Sequence, residues 1–115
     1  MKKIIHVDNS DFFRKCVKTF LESQRFEVES YKEPQEASIA IGSGTADMVI
    51  MGLTFADING KDFLVKTRIS YEGPVIIISS SVDKNIEAEL IALGATAAIN
   101  KSGPWKADLK PFLPV

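Results

Sequence analysis

The sequence predicts an α/β fold, in which an open sheet of parallel strands carries helices on both of its faces. Two observations support this prediction. Five segments of strand length, apolar or alternating, recur along the chain at nearly regular spacing. Between them lie segments whose apolar residues recur at three- and four-residue steps, as on one face of an amphipathic helix. Strand and helix therefore alternate five times, which is typical of βα units joined by right-handed crossovers.

Four of the predicted strands are continuously apolar. Such runs are expected for strands of a parallel sheet that are buried on both faces. They cover residues 4–7, 48–51, 75–78 and 97–99. The remaining strand, residues 26–31, alternates apolar and polar side chains, which indicates a position at the edge of the sheet.

The five helices follow from capping residues and helical spacing. The first begins after Ser10, because a serine side chain is a good N-cap. The second has Pro34 in its first turn, where a missing N–H costs nothing. The third and fourth cover about residues 60–69 and 83–93. The fifth begins near Pro104 and is limited to about two turns, since two further prolines follow it.

This pattern predicts one flavodoxin-like (βα)5 domain that spans residues 1–115. Its doubly wound parallel sheet has the strand order 2-1-3-4-5, with two helices on one face, three on the other and a short fifth helix. Open sheets of this kind bind ligands at the carboxyl ends of their strands. The residues that follow the strands are therefore the candidates for a functional site.

Composition restricts the class of protein. Hydrophobic residues make up 45% and charged residues 25% of the chain, an ordinary globular mixture. Fourteen basic against fifteen acidic residues give a net charge of −1, which does not favour nucleic acid as a partner. The single Cys16 cannot form an internal disulfide, and we expect it to be a buried thiol. No signal peptide or membrane-length apolar segment is visible, so we expect a cytoplasmic protein with no membrane partner.

Polar side chains and one glycine stand where the predicted strands end. Asp8 and Asn9 follow the first strand, Gly52 follows the third, Ser79 ends the fourth and Lys101 follows the fifth. Because the carboxyl ends of parallel strands meet at one edge of a sheet, we expect these five residues to lie close together.

These segments resemble the response-regulator receiver domain, the CheY-like family, along essentially the whole chain. The segment IIHVDNS resembles the family's first strand, which ends in two acids, and it supplies Asp8 and Asn9. The segment DMVIMGLTFADING aligns without a gap to the strand and loop that carry the phospho-accepting aspartate, and Gly52 occupies the acceptor position. The segment PVIIISS ends in the family's hydroxyl residue, Ser79, and Lys101 matches its lysine.

The departures from the family pattern indicate how this chain works. Glycine has no side chain, so Gly52 cannot act as the carboxylate nucleophile. The family uses two or three acids to hold Mg²⁺, and only Asp8 remains. Ala98 stands at the position of the family's switching aromatic residue, and Ser102 stands where a proline usually follows the lysine. The resemblance therefore implies a vestigial phosphorylation pocket with no catalytic residue, metal or cofactor.

Several residues have both a functional and a structural interpretation. Asp8 is either a vestigial metal ligand or the partner of Lys101, and one carboxylate favours the pair. Lys101 either binds an anion together with Ser79 or forms a structural salt bridge. His6, on the same strand face as Asp8, invites a catalytic role, but a packed, hydrogen-bonded core histidine is the favoured interpretation. Asp57 is disfavoured as a substitute acceptor because it lies in a variable, outward-facing loop.

The resulting prediction is a phosphorylation-independent, non-enzymatic signalling module of a two-component-type pathway. We expect a protein partner or a second copy to bind the face formed by the fourth helix, fifth strand and fifth helix, residues 84–113. Ala98 is expected to leave a shallow depression there. Trp105, Phe112 and Leu113 either form an exposed docking patch or cap the core. The alternative function is a binding module for a small anion or ligand in the vestigial pocket, using the space left at Gly52.

Overall fold

The computed structural model describes all 115 residues and contains one sheet of five parallel strands. Their order across the sheet is β2-β1-β3-β4-β5, as predicted. Strand β2 lies at an edge, in agreement with its alternating sequence. The strands are β1 (Lys3–Val7), β2 (Glu27–Tyr31), β3 (Met48–Met51), β4 (Val75–Ser79) and β5 (Ala97–Asn100).

Five helices connect and flank the strands: α1 (Asp11–Ser23), α2 (Pro34–Gly42), α3 (Gly60–Ser70), α4 (Lys84–Ala92) and α5 (Trp105–Leu109). A 3-10 turn over Lys110–Phe112 follows α5. The fifth helix is thus as short as the prolines predict. Helices α1 and α5 contribute to the core on one face of the sheet, while α2, α3 and α4 contribute to the core on the other.

Side chains cap three of the helices. The Ser10 hydroxyl accepts a hydrogen bond from the Phe13 amide at 3.1 Å, as predicted for the start of α1. The Asn59 side chain accepts from two amides in the first turn of α3, and the Asp83 carboxylate accepts from the Ile86 amide at 2.8 Å. Each cap satisfies amides that would otherwise lack a partner, and such caps are typically worth about 1 kcal/mol.

The core is divided by the sheet into two apolar layers. On the first face, Phe13, Val17 and Leu21 of α1 pack against the sheet. On the second face, α3 contributes Phe63 and Leu64, whose side chains are essentially fully buried. The continuous apolar strands are therefore buried on both faces, which is the physical reason for their composition.

Arg68 ties the end of α3 to two neighbouring connections. Its Nε donates to the Gly94 carbonyl at 2.7 Å, and its Nη1 donates to the carbonyls of Tyr71 and Gly73 at 3.1 and 2.6 Å. Gly94, just beyond α4, has a φ of +115°, which favours glycine. A Cβ at this position would also lie 2.8 Å from Arg68 Cγ, so close packing requires a glycine there as well.

The burial of Cys16 and of Trp105 can be compared with the predictions. Cys16 is only partly buried, which corrects the prediction of a buried thiol, because it packs at the margin of the core layer beside the buried stripe of α1. Trp105 is partly buried and packs edge-on against Phe13 and Phe20, at ring-centroid distances of 5.1 and 5.6 Å. It therefore caps the core instead of standing free as a docking residue. None of the helices has the length and apolar character that a membrane crossing requires.

Candidate functional site

The structure brings the five predicted site residues together at the carboxyl edge of the sheet. They line one cavity of about 190 Å³, together with residues of the adjoining loops. The five are Asp8, Asn9, Gly52, Ser79 and Lys101. Parallel pairing of β1, β3, β4 and β5 places the ends of these strands side by side, so residues distant in sequence share one site.

Asp8 and Lys101 form the direct ion pair that the sequence predicts. Lys101 Nζ lies 3.1 Å from Asp8 Oδ2 and 3.4 Å from Oδ1. The Asp8 side chain is only 5% exposed, and its Oδ1 also accepts a hydrogen bond from the Ser10 amide at 2.8 Å. Lys101 Nζ lies 4.3 Å from the centre of the Phe13 ring, which adds a cation–π contact. The interpretation of Asp8 as the partner of Lys101 is confirmed.

Gly52 follows directly after β3 and donates its amide to the Val7 carbonyl at 3.0 Å. A Cβ built on Gly52 would lie 3.1 Å from Asp8 Oδ2, which is tighter than an ordinary contact. The expected free space at Gly52 is therefore partly filled by the Asp8 carboxylate. Glycine has no side chain, so the Asp8 carboxylate can approach the backbone of Gly52 closely.

Ser79 and Asn9 contribute polar groups at the cavity but no charge. Ser79 is 6% exposed, and its hydroxyl accepts a hydrogen bond from the Ser81 amide at 3.2 Å. This hydroxyl thus stabilises the β4–α4 loop and forms no hydrogen bond with Lys101. Asn9 is exposed at the rim.

Arg14 is a residue of this region that sequence reasoning missed. Its Nη1 donates to the backbone carbonyl of Asp8 at 2.6 Å, and its guanidinium also pairs with Asp11. The available signal was a cation in the first turn of α1, six residues after the acid at the end of β1. Arg14 anchors the β1–α1 connection and so helps to position Asp8.

His6 is fully buried on β1, and neither ring nitrogen has a hydrogen-bond partner. This corrects the expectation of a hydrogen-bonded histidine: the Phe13 ring lies edge-on at 6.0 Å, and Ser30, which pairs with His6 across β1 and β2, is buried without forming a hydrogen bond to it. Burial lowers the pKa of His6 to about 4, and the positive charges of Lys101 and Arg14 act in the same direction, against the opposing effect of Asp8. His6 is therefore neutral at pH 7.

Ala98 and Asp57 lie away from the cavity. Ala98 is only 7% exposed and belongs to the core layer that includes Leu90 and Ile77. The predicted accessible depression at Ala98 is therefore wrong, because core side chains already cover this small residue. Asp57 is exposed in the loop between β3 and α3, in agreement with an outward-facing loop position.

Magnesium, which the receiver resemblance implies, does not fit these residues. Mg²⁺ requires oxygen ligands in near-ideal octahedral geometry and usually at least one or two free carboxylates. The cavity is lined by a single carboxylate, Asp8, which Lys101 already neutralises. No group of three or more histidine, cysteine, aspartate or glutamate side chains is arranged to hold a metal ion.

Comparison with known proteins identifies the family. The profile described as "Response regulator receiver domain" matches residues 4–108. The chain belongs to the response regulator receiver domain family. A protein-glutamate methylesterase/protein-glutamine glutaminase of Bacillus subtilis is 32% identical to this receiver domain over 114 residues. Its counterpart from Geobacillus kaustophilus is 31% identical over 112 residues.

The matched regions cover almost all of this receiver domain, 95% and 93% of the chain, but only 32% of each relative. The chain thus spans about a third of the length of these relatives. Among solved structures, the chemotaxis protein CheY4 of Vibrio cholerae superposes with a TM-score of 0.86 and 24% identity. This match covers 98% of the present chain and 99% of CheY4. It shows the shared fold, with five parallel strands in the order 2-1-3-4-5.

Proposed function

We propose that this receiver domain signals without phosphorylation, by binding a protein partner and not by catalysing a reaction. The observation that supports this most directly is Gly52 at the end of β3, in the position where the family carries its phospho-accepting aspartate. Phosphoryl transfer to a receiver needs a carboxylate nucleophile at that point, and a glycine supplies none.

The charge at the cavity supports the same proposal. Asp8 is its only carboxylate, and it is bound by Lys101 Nζ and by the Ser10 amide. Phosphoryl transfer relies on metal ions that neutralise charge on the transferred group. A carboxylate already engaged in a buried ion pair is a poor ligand for such a cation, since binding the cation would require breaking that pair.

The switch position points in the same direction. Ala98 is buried in the core layer of α2, α3 and α4 and has no ring that could change orientation. A ligand shifts a conformational equilibrium only when it binds two states with different affinity. With neither an acceptor nor an aromatic lever, the domain presents one constant surface to its partner.

The partner surface that we propose is the α4–β5–α5 face, residues 84–113. Its exposed large hydrophobic side chains are Ile91, which is 49% exposed, and Phe112, which is 38% exposed. Because Ala98 is buried, the surface relies on these protruding side chains and not on a depression at β5. Such isolated apolar groups can anchor a partner when polar residues surround them.

Small-anion binding in the cavity is the alternative function. Anion binding would require Lys101 to leave Asp8, because one ammonium group cannot pair fully with both the anion and the Asp8 carboxylate. The direct 3.1 Å pair therefore favours the interaction module. Binding of sulfate at millimolar concentration that breaks this pair, detected by calorimetry, would reverse the preference.

The decisive experiment is incubation with acetyl phosphate and Mg²⁺, followed by intact-mass measurement. We expect no phosphorylated species for the unmodified chain. The matched control combines Gly52→Asp with Asn9→Asp, which restores the family's acids and should become phosphorylated at position 52. A modified peptide from the unmodified chain that contains Asp8 or Asp57 would overturn the proposal.

A further inference from the structure

Exposed aliphatic side chains are concentrated on the surface formed by α2 and α3. Eight large hydrophobic residues are exposed, of which two are the terminal residues, and three of the other six lie on these two helices. Ile39 is 77% exposed, Val65 44% and Ile69 82%. Exposed apolar groups that cluster in this way mark interaction sites more often than scattered ones do. We call the exposed surface of Pro34–Gly42 and Gly60–Ser70 the α2–α3 face.

Two cavities along the α2–α3 face join into one groove, because Ser38 and Lys66 line both of them. Ile69 lies at one end of the groove and Ile39 at the other. Lys66 is exposed at its centre and forms no ion pair. Glu33 and Asp57 also line the groove on the Ile39 side, so a carboxylate that meets Lys66 would have to approach from the exposed side of α3, beside the aliphatic Ile69.

The chain itself carries a surface with this chemistry. Four residues of α3 are exposed and share one side of the helix: Asp62 and the residues three, four and seven positions after it, Val65, Lys66 and Ile69. Asp62 lies four residues before Lys66, yet neither side chain forms an ion pair within the monomer. The acidic Asp62, the two aliphatic side chains and the basic Lys66 thus form one stripe along α3.

A two-fold axis perpendicular to α3 would make this stripe self-complementary. Two copies of α3 packed antiparallel, with Val65 near the axis, bring Asp62 of each copy towards Lys66 of the other. The contact is isologous, so every favourable pair occurs twice. Like charges are kept apart in this arrangement, which distinguishes it from a parallel one.

We propose that the α2–α3 face is a self-association surface, on which a second copy of this chain docks through antiparallel α3 helices with reciprocal Asp62–Lys66 pairs. This surface is separate from the α4–β5–α5 face, which stays free for a protein partner. Two short helices offer less area than a standard interface, so we expect a weak dimer with a Kd on the order of 10–100 µM.

Sedimentation equilibrium of the full chain, from about 10 µM to about 0.5 mM, tests the proposal. Asp62→Lys alone places like charges opposite each other twice, and so does Lys66→Asp alone. Each should weaken dimerisation by about tenfold. The combined variant, with both charges exchanged, should return to within about threefold of the unmodified chain. Ile69→Glu should abolish dimerisation, whereas Phe12→Glu on α1 is the matched control and should leave it unchanged.

Dilution followed by backbone NMR shifts gives a second measurement that needs no variant. Amides on the α2–α3 face should shift with concentration, and those on α1 and α4 should not. A monomer at the highest concentration would overturn the proposal. So would failure of the charge exchange to restore binding in a folded chain, or concentration-dependent shifts on α4 alone. None of these results depends on whether the domain accepts a phosphoryl group, so the outcome is independent of the acetyl phosphate experiment.

Discussion

Acidification offers a sharp test of the interior because His6 is buried without a partner. Its side chain is fully inaccessible and both ring nitrogens lack a hydrogen bond. Burial lowers its pKa to about 4 in the folded chain. In the unfolded chain the imidazole is solvated and titrates with a pKa of about 6.5.

The sign and size of the effect follow from these two pKa values. Between pH 6.5 and pH 4 the unfolded chain binds a proton at His6 and the folded chain does not, so stability falls as the pH falls. The contribution of neutral His6 to the free energy of unfolding is fully present above about pH 6.5. Below that pH it is lost at about 1.4 kcal/mol per pH unit, down to about pH 4. From pH 7 to pH 5 the free energy of unfolding should therefore decrease by about 2 kcal/mol because of this residue alone.

Urea unfolding at pH 7.5, 6 and 5 measures this dependence, with His6→Leu as the comparison. Leucine fits an apolar site and cannot titrate, so the variant should lose most of the slope between pH 6.5 and pH 5. Carboxylates whose pKa is lowered, such as Asp11 and Glu29, act below that window and are common to both proteins. Equal slopes for the two proteins, or an NMR titration of His6 near pH 6.5, would refute the reasoning.

Three further variants, one of them a double substitution, test the site and its support. Lys101→Met should lower the free energy of unfolding by about 1–3 kcal/mol in urea, because it leaves the buried Asp8 carboxylate without its cation; an unchanged midpoint would contradict the pair. Gly52→Asp combined with Asn9→Asp should create a chain that Mg²⁺ stabilises in thermal unfolding, whereas the unmodified chain should show no shift. Arg68→Met removes three hydrogen bonds to carbonyls and should cost about 3 kcal/mol, and the exposed Lys18→Met, its control, should change stability by less than about 0.5 kcal/mol.

Much of the fold follows from local signals in the sequence. Continuous apolar runs mark the inner strands because both of their faces are covered by helices. Ser10 predicted the start of α1 because its hydroxyl satisfies an amide that the helix itself cannot. The parallel order then places Asp8 and Lys101 at the same edge of the sheet, so their contact could be predicted although 93 residues separate them.

The details that sequence reasoning missed depend on packing between distant segments. Whether His6 finds a hydrogen-bond partner depends on how the side chains around β1 are oriented: the Phe13 ring lies edge-on to it, and the neighbouring Ser30 hydroxyl forms no hydrogen bond with it. Ala98 is covered by the second core layer, which no feature of β5 itself reveals. Gly52 lines the cavity, but a Cβ there would lie only 3.1 Å from Asp8 Oδ2, in a carboxylate that Lys101 and the Ser10 amide bind.

The sequence by itself determined the order of the elements and the edge of the sheet at which Asp8, Gly52 and Lys101 lie. These properties depend on residue identity and on spacing along the chain, which are local. Only the tertiary structure decided which polar groups are satisfied, which small residues are covered, and that Ile39 and Ile69 flank an exposed Lys66. Those properties arise where side chains from different helices and strands meet, because burial and pairing are set by neighbours that lie far away in the sequence.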